Sequence, residues 1–138
     1  MDSKDLIGLA LLEKDKAYVP YSKFKVGFAT ETTKGVFGGA NIENASYSMT
    51  MCAERVGMFQ AIMAGCRKGD FKKIAIVVES ENPDDATFIV PCGACLQVMS
   101  EHVEPDTEIL LGNKNGEFHT YKFKDLLPIT FDILKHNH

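Results

Sequence analysis

Two short segments of the chain carry side chains whose types and spacing suit a metal site. Cys52-Ala53-Glu54-Arg55 supplies one thiol and a carboxylate, and Pro91-Cys92-Gly93-Ala94-Cys95 supplies two further thiols. Three thiolates are one ligand short of the four found in structural zinc sites, and a position left open in this way usually holds a reactive water. The carboxylate of Glu54 is close enough in sequence to Cys52 to accept and return the proton of that water. We therefore predict a zinc site whose ligands are Cys52, Cys92 and Cys95.

The local structure expected around these thiols favours the ionised form that a metal needs. Both cysteine segments fall at the predicted starts of helices, where free backbone N–H groups and the helix dipole lower the pKa of a thiol. Three thiolates around Zn²⁺ still leave a net negative charge, which weakens the metal as a Lewis acid, so a nearby cation would help. Arg55 is the candidate for this metal-tuning role, although it would also be an ordinary solvated helix residue.

Other interpretations of the cysteines remain open. Taken alone, Pro91-Cys92-Gly93-Ala94-Cys95 is as typical of a redox pair as of a metal site, and the addition of Cys52 and Glu54 favours metal. The remaining cysteine, Cys66, lies on a predicted apolar stripe and is expected to pack in the core. In a non-enzymatic alternative, the zinc only stabilises a module that binds a protein or a nucleic acid.

Composition narrows the class of protein and of ligand. The chain has 138 residues, 45% of them hydrophobic and 25% charged, which suits one catalytic domain over residues 1–138. It has no apolar run of membrane-spanning length and no basic segment followed by an apolar one at Met1, so we expect a cytoplasmic protein. A net charge of −4 without a dense Lys/Arg cluster argues against nucleic acid and favours a small molecule.

Hydrophobic periodicity predicts alternating helices and strands. The aliphatic run Ile74-Ala75-Ile76-Val77-Val78 indicates a strand covered on both faces, so helices should lie on both sides of the sheet. In the helix that starts at Cys52, the predicted buried stripe consists of Val56, Phe59, Ile62 or Met63, and Cys66. The other predicted elements are a helix over 4–17, a hairpin of strands 24–29 and 36–39, a loop over 41–51, a helix over 93–103, strands over 108–111 and 117–121, and a short final helix within 123–131.

Five motifs together resemble the small homotetrameric cytidine deaminases. Besides the two cysteine segments, they are Tyr18-Val19-Pro20-Tyr21-Ser22-Lys23-Phe24-Lys25-Val26-Gly27, Asn41-Ile42-Glu43-Asn44-Ala45-Ser46-Tyr47 and Leu126-Leu127-Pro128. The resemblance covers nearly the whole chain, and zinc deaminases share the three-ligand zinc site with a non-ligand Glu. It implies an α/β fold, a three-layer α/β/α sandwich with a mixed β-sheet, and one Zn²⁺ per subunit. It also implies hydrolysis of cytidine and 2′-deoxycytidine to the uridine forms, with release of ammonia, in pyrimidine salvage.

The resemblance also implies roles for individual residues. Asn41 and Glu43 would hold the ribose hydroxyls within a sugar segment that runs to Ala45, Phe24 would pack against the pyrimidine, and backbone groups near Ala53 would read the base edge. Glu54 would protonate the ring N3 and later the departing amine. Tyr47 and Phe131 would approach the site of a neighbouring subunit in the tetramer. Ordinary structural roles stay open for three of these residues, a capping turn for Asn41 and Glu43 and core packing for Phe24.

Three features depart from the family pattern, one of them being Ile129-Thr130-Phe131 after Leu126-Leu127-Pro128, where small residues usually precede the aromatic. Leu96 stands where the family usually has Arg, and we expect it to alter a subunit contact or a charge beside the site. Phe28 stands where a small residue is usual, and we expect it to narrow the pocket. Related substrates, a modified cytosine nucleoside or an antibiotic similar to blasticidin S, form an alternative within the same chemistry.

Overall fold

Five strands form one mixed sheet with helices on both of its faces. The computed structural model describes residues 1–133, and the strands follow the order β2-β1-β3-β4-β5. Only β3 and β4 pair in parallel; the other neighbouring strands are antiparallel. The elements are α1 (Ser3–Lys14), β1 (Lys25–Thr32), β2 (Gly35–Ala40), a 3₁₀ turn (Tyr47–Met49), α2 (Ala53–Met63), β3 (Phe71–Glu79), α3 (Gly93–His102), β4 (Glu108–Asn113), β5 (Phe118–Lys122) and α4 (Phe123–Leu126).

The central strand β3 divides the core into two layers because its successive side chains point to opposite faces. Ile74, Ile76 and Val78 face a large cluster that includes residues of α2 and α3. Ala75 and Val77 face a smaller cluster formed with α1. The three-layer α/β/α sandwich with a mixed sheet is thereby confirmed.

The predicted elements are present, but the predicted buried face of α2 is wrong at two residues, Phe59 and Met63, whereas Ile62, the predicted alternative to Met63, packs against the larger cluster. Phe59 and Met63 are 42% and 86% exposed, whereas the buried residues of this helix are Ala53, Glu54, Gly57, Met58 and Ala61. The physical reason is the short distance between the helix and the sheet, which leaves room mainly for small side chains on the inner face. Cys66 lies in the larger cluster and is fully buried, as expected.

Two glycines set this short distance. A β-carbon at Gly39 in β2 would lie 2.5 Å from the backbone nitrogen of Gly57 in α2, and one at Gly57 would overlap the ring of Phe28. The start of α2, which carries Cys52 and Glu54, is therefore held directly against β1 and β2.

Phe28 and Leu96, two of the departures from the family pattern, both lie in the core. Phe28 is fully buried against Gly57 and is not among the residues that line the cavity described below, so the expectation that it narrows the pocket is wrong. Leu96 is 7% exposed within the larger cluster and adds to apolar packing, and its expected effect on a subunit contact or on a charge beside the site stays a prediction. Within residues 1–133, no helix is long and apolar enough to cross a membrane.

Gly57→Ala should destabilise the protein, because the added methyl group has no space beside Phe28. We expect a loss of about 1–3 kcal/mol in the free energy of unfolding, as for other overpacked cores. Urea denaturation of the purified protein measures this loss.

Gly8→Ala is the matched control, since a β-carbon at this position of α1 meets nothing within 4 Å. It should stabilise the protein by roughly 0.5–1 kcal/mol through helix propensity alone. Equal effects of the two substitutions would show that the Gly57 contact does not limit the packing of α2.

Candidate metal centre and its cavity

The starts of α2 and α3 bring three thiols together. Cys52 is the N-cap residue of α2, Cys92 is the N-cap residue of α3, and Cys95 lies in the first turn of α3. The Sγ atom of Cys92 is 3.9 Å from that of Cys52 and 3.3 Å from that of Cys95. Both helix starts agree with the sequence prediction, and the N-terminal dipoles of both helices favour negative charge at this point.

The sulfur atoms have the spacing that a zinc ion requires. All three ligand atoms lie within 4.8 Å of one another. Zn–S bonds of about 2.3 Å at tetrahedral angles place sulfur atoms about 3.8 Å apart. The side chains therefore fit zinc with three protein ligands and a fourth position free for water or substrate. Within residues 1–133, no second group of His, Cys, Asp or Glu side chains offers ligand atoms as close together.

Charge within the cluster is concentrated on Cys52. The pKa of Cys52 is lowered to about 5, mainly by a hydrogen bond with the Cys95 thiol and also by Arg55 and Cys92, although burial acts in the opposite direction. The Nη2 atom of Arg55 donates to the Cys52 sulfur at 3.4 Å. Donation to Cys52, together with burial, raises the pKa of Cys95. Arg55 is thus in direct contact with a thiolate, as its proposed metal-tuning role requires.

Glu54 combines deep burial with a perturbed acidity. Its residue exposure is only 3%, and it lines the same cavity as Cys52 and Cys92. Burial, with a further contribution from the charge on Cys52, raises the pKa of Glu54 to about 7, although Arg55 acts to lower it. A carboxyl group with this pKa can both accept and donate a proton near neutral pH.

A cavity of about 470 Å³ adjoins the thiols and Glu54. This volume lies in the range of about 300–1,000 Å³ that is usual for small-molecule sites. Four segments of the chain contribute to its wall: Ser22, Phe24 and Val26; Asn41, Glu43, Tyr47 and Thr50; Cys52, Ala53 and Glu54; and Ile89, Val90 and Cys92. The cavity can therefore hold one small molecule in contact with both the proposed proton carrier and the metal ligands.

Most of the predicted substrate-binding residues lie around this cavity. Phe24, Asn41, Glu43, Tyr47 and Ala53 all line it. Two others do not: Ala45 is an exposed loop residue, and Phe131, which is 67% exposed, borders a separate cavity of about 230 Å³. Tyr47 lies at the cavity of its own chain. Its predicted approach to a neighbouring subunit stays a prediction, as does that of Phe131.

The side-chain amide of Asn41 makes hydrogen bonds mainly to the backbone of its own chain. Its Oδ1 accepts the N–H of Val26 at 2.9 Å, and its Nδ2 donates to the carbonyl of Phe24 at 2.8 Å. Asn41 thereby fixes the start of β1, including the backbone of Phe24. One amide proton and one lone pair are left for a ligand.

Glu43 is held by a set of donors from the segment before β1. Its Oε1 accepts the N–H groups of Tyr21 and Ser22 at 3.0 and 3.1 Å, and its Oε2 accepts the hydroxyl groups of Ser22 and of Tyr47, the latter at 3.2 Å. Burial alone would raise the pKa of Glu43, but the hydrogen bonds from Ser22, Tyr21 and Tyr47 outweigh it and lower the pKa. Glu43 is therefore a fixed carboxylate at neutral pH.

Sequence reasoning missed five residues of the cavity wall: Ser22, Val26, Thr50, Ile89 and Val90. The closeness of Ile89 and Val90 to Cys92 in sequence was a usable signal, because the chain entering α3 must pass the metal ligands. That entering segment is tied to the end of β4, where the buried Asn113 donates its amide to the carbonyl of Ala86 at 3.0 Å. Thr50 and Ser22 had no distinguishing spacing.

Comparison with known proteins points to one family. A family model described as "Cytidine and deoxycytidylate deaminase zinc-binding region" matches residues 1–110. The cytidine deaminase of Halalkalibacterium halodurans is 45% identical over 132 residues, which are 95% of this chain and 95% of that protein. The cytidine deaminase of Sporosarcina psychrophila is 41% identical over 95% of this chain and 92% of its own length.

Solved structures agree with this result. The crystal structure of cytidine deaminase from Burkholderia pseudomallei has a TM-score of 0.84 and 47% identity, covering 95% of this chain and all of that one (100%). The cytidine deaminase structure from Mycobacterium tuberculosis has a TM-score of 0.75 and 33% identity, with coverage of 96% and 99%.

Cys92→Ala should remove most of the bound zinc, because only two of the three thiol ligands then remain, one on each of two helices. Elemental analysis of the purified variant, set against about one zinc per chain in the unaltered protein, measures the loss. Cys66→Ala is the matched control: it removes a thiol that is buried in the core, and zinc should stay bound. A full complement of zinc in Cys92→Ala would show that the ligand set is wrong.

Proposed function

Because this chain belongs to the cytidine and deoxycytidylate deaminase family, we propose that it hydrolyses cytidine and 2′-deoxycytidine to uridine and 2′-deoxyuridine, with release of ammonia. The observation that carries this proposal is the position of Glu54, a buried carboxyl group with a pKa of about 7, in one cavity with two of the three clustered thiols. Hydrolytic deamination needs a proton carrier beside a metal, and zinc deaminases use a non-ligand Glu for this purpose.

The bound ion and the protein contribute different parts of the chemistry. Zinc, when held by Cys52, Cys92 and Cys95, supplies Lewis acidity that makes water a nucleophile at neutral pH. Glu54 takes up the proton that the water loses and passes it to N3 of the cytosine ring. Glu54 then takes the proton of the hydroxyl group now attached to C4 and carries it to the amino group, so that C4 becomes a carbonyl and the C–N bond breaks with release of ammonia. Arg55 offsets part of the thiolate charge through its contact with Cys52.

The remaining cavity residues orient the substrate. Phe24 packs against the pyrimidine, and backbone groups near Ala53 read the edge of the base. Glu43 and the free capacity of Asn41 bind the sugar hydroxyls, for which a fixed carboxylate is a strong acceptor. Since the cavity wall is partly apolar at Ile89 and Val90, it limits the water around the reacting atoms.

Charge favours nucleosides over nucleotides. The described residues that line the cavity include two carboxyl groups, Glu43 and Glu54, and no Lys or Arg. A phosphate group would enter a site without a cationic partner and near a fixed negative charge, which is unfavourable at short range. The free base cytosine would fit but would make no sugar contacts.

A panel of cytosine compounds tests the proposed reaction. Ultraviolet absorbance at equal concentrations of cytidine, deoxycytidine, cytosine and the two 5′-monophosphates should show turnover mainly of the nucleosides. We expect Glu54→Gln to retain zinc and to lose roughly 10²–10⁴ of the rate, which is the usual contribution of a general acid–base. Glu104→Gln is the control, since it neutralises an exposed carboxylate after α3.

One result would contradict the proposed reaction, and another would contradict only the proposed role of Glu54. A zinc-loaded wild-type protein that releases no ammonia from either nucleoside would remove the deaminase activity. Substantial turnover by Glu54→Gln would remove Glu54 from the mechanism and leave the reaction itself in place.

We infer that the chain assembles into a homotetramer whose sites lie at subunit interfaces. Support comes from the outer face of α2, where Phe59 and Met63 are exposed, and from Tyr47, an exposed aromatic residue at the rim of the cavity. Apolar surface of this kind is typical of a surface that another subunit covers.

Light scattering should give four times the chain mass of 15.3 kDa. Met63→Glu should reduce this mass, because it places a charge on the proposed interface. Leu12→Glu, which puts the same charge at an exposed apolar position of α1, should not. A monomeric wild-type protein with full activity would overturn the inference.

We also infer a cytoplasmic location and a role in pyrimidine salvage. The clustered free thiols support the location, because thiols stay reduced in the cytosol and tend to form disulfides in oxidising compartments. The reaction supports the role, because it returns a free nucleoside to the uridine pool. Recovery of the protein from a secreted or periplasmic fraction of cells would contradict the location.

A further inference from the structure

Ser22 joins two parts of the proposed substrate site through its hydroxyl group. It lies in the segment between α1 and β1 and lines the cavity together with Phe24 and Glu43. Its Oγ donates to Oε2 of Glu43 and accepts the N–H of Phe24 at 3.0 Å. Its backbone N–H donates to the other carboxylate oxygen of Glu43 at 3.1 Å. One small side chain therefore links the acid that faces the sugar to the backbone of the aromatic residue that faces the base.

We propose that Ser22 is a positioning residue that sets the spacing between the Glu43 carboxylate and the Phe24 ring. This inference rests on the proposed function, because it assigns Ser22 to the recognition of a nucleoside as base and sugar together. Ser22 acts through its two neighbours and takes no part in proton transfer.

The backbone around Ser22 supports this assignment. Lys23, between Ser22 and Phe24, has a φ of 58°, which lies in the left-handed region that non-glycine residues rarely adopt. The bond from the Phe24 N–H to the Ser22 hydroxyl closes this turn, and serine hydroxyls commonly accept a backbone N–H two residues later. Strained backbone of this kind persists where surrounding contacts hold it, and it clusters at ligand sites.

Other contacts would keep the segment folded if the hydroxyl were removed. Glu43 would still accept the N–H groups of Tyr21 and Ser22 on Oε1, and the Phe24 carbonyl would still accept from Asn41. On Oε2, only the 3.2 Å bond from Tyr47 would remain. The expected consequence is a rotated carboxylate and a loosened Phe24, with the fold retained.

Ser22→Ala should therefore weaken nucleoside binding more than it slows the chemical step. We expect KM for cytidine to rise roughly tenfold, as for the loss of a hydrogen bond to a charged group, and kcat to fall by less than about threefold. Zinc content and the urea midpoint should stay close to wild type. Ser22→Thr keeps a hydroxyl at this position and should restore most of the affinity.

Ser100→Ala is the matched control. The Ser100 hydroxyl donates to the carbonyl of Gln97 within α3, and the residue does not line the cavity, so its removal should leave KM unchanged.

A double-mutant cycle separates positioning from general destabilisation. If Ser22 acts through Glu43, then Ser22→Ala should raise KM much less in a Glu43→Gln background than in the wild type. A wild-type KM for Ser22→Ala, or fully additive effects in the cycle, would overturn the inference and leave the deaminase proposal standing. A zinc-loaded wild type that deaminates no nucleoside would overturn the proposed function, and the assignment of Ser22 would fall with it.

Discussion

Repulsion among three sulfur ligands is the constraint on which the rest of the structure depends. Three thiols that all lie within 4.8 Å of one another cannot all ionise without positive charge nearby. The fold supplies positive charge through the first turns of α2 and α3 and through the guanidinium of Arg55. The positions of the thiols also fit a divalent cation, which would supply more. The close packing of α2 on the hairpin β1–β2 matters because it fixes where one of those helix starts lies.

Two carboxyl groups in one cavity are tuned in opposite directions. Burial raises the pKa of Glu54 to about 7, which suits a group that must hold and release protons. Glu43 is also buried, but donors from Tyr21, Ser22 and Tyr47 stabilise its charge and lower its pKa. Burial and the nearby charge on Cys52 make Glu54 the acid that exchanges protons, whereas hydrogen bonding keeps Glu43 a fixed anion. The same cavity can in this way both exchange protons with a nucleoside's cytosine ring and bind its sugar.

The sequence allowed the chemical centre to be predicted better than the packing around it. The Cys-x-x-Cys spacing and the two helix starts are features of the local sequence, and they were enough to predict that Cys52, Cys92 and Cys95 share one metal site. The exposed face of α2 could not be predicted in this way, because the position of that helix depends on Gly39 and Gly57, which are distant in sequence and carry no side chain to count in a hydrophobic pattern. Phe28 was misplaced for the same reason, since its space lies over Gly57. Nothing in the sequence pattern marked Ser22 as a site residue, because Glu43 becomes its neighbour only after the segment before β1 and the loop at 41–51 have folded together.

The exposure of Cys92 gives the metal a second consequence, one of chemical protection. Cys92 is solvent-exposed, and its sulfur lies 3.3 Å from that of Cys95, so a modest movement would bring the pair to bonding distance. Two free thiols in this arrangement are open to oxidation by peroxide, whereas thiolates coordinated to zinc are far less so. A zinc ion held by these thiols would therefore also protect them from disulfide formation, and the lifetime of the enzyme outside a reducing environment would depend on how slowly that ion dissociates.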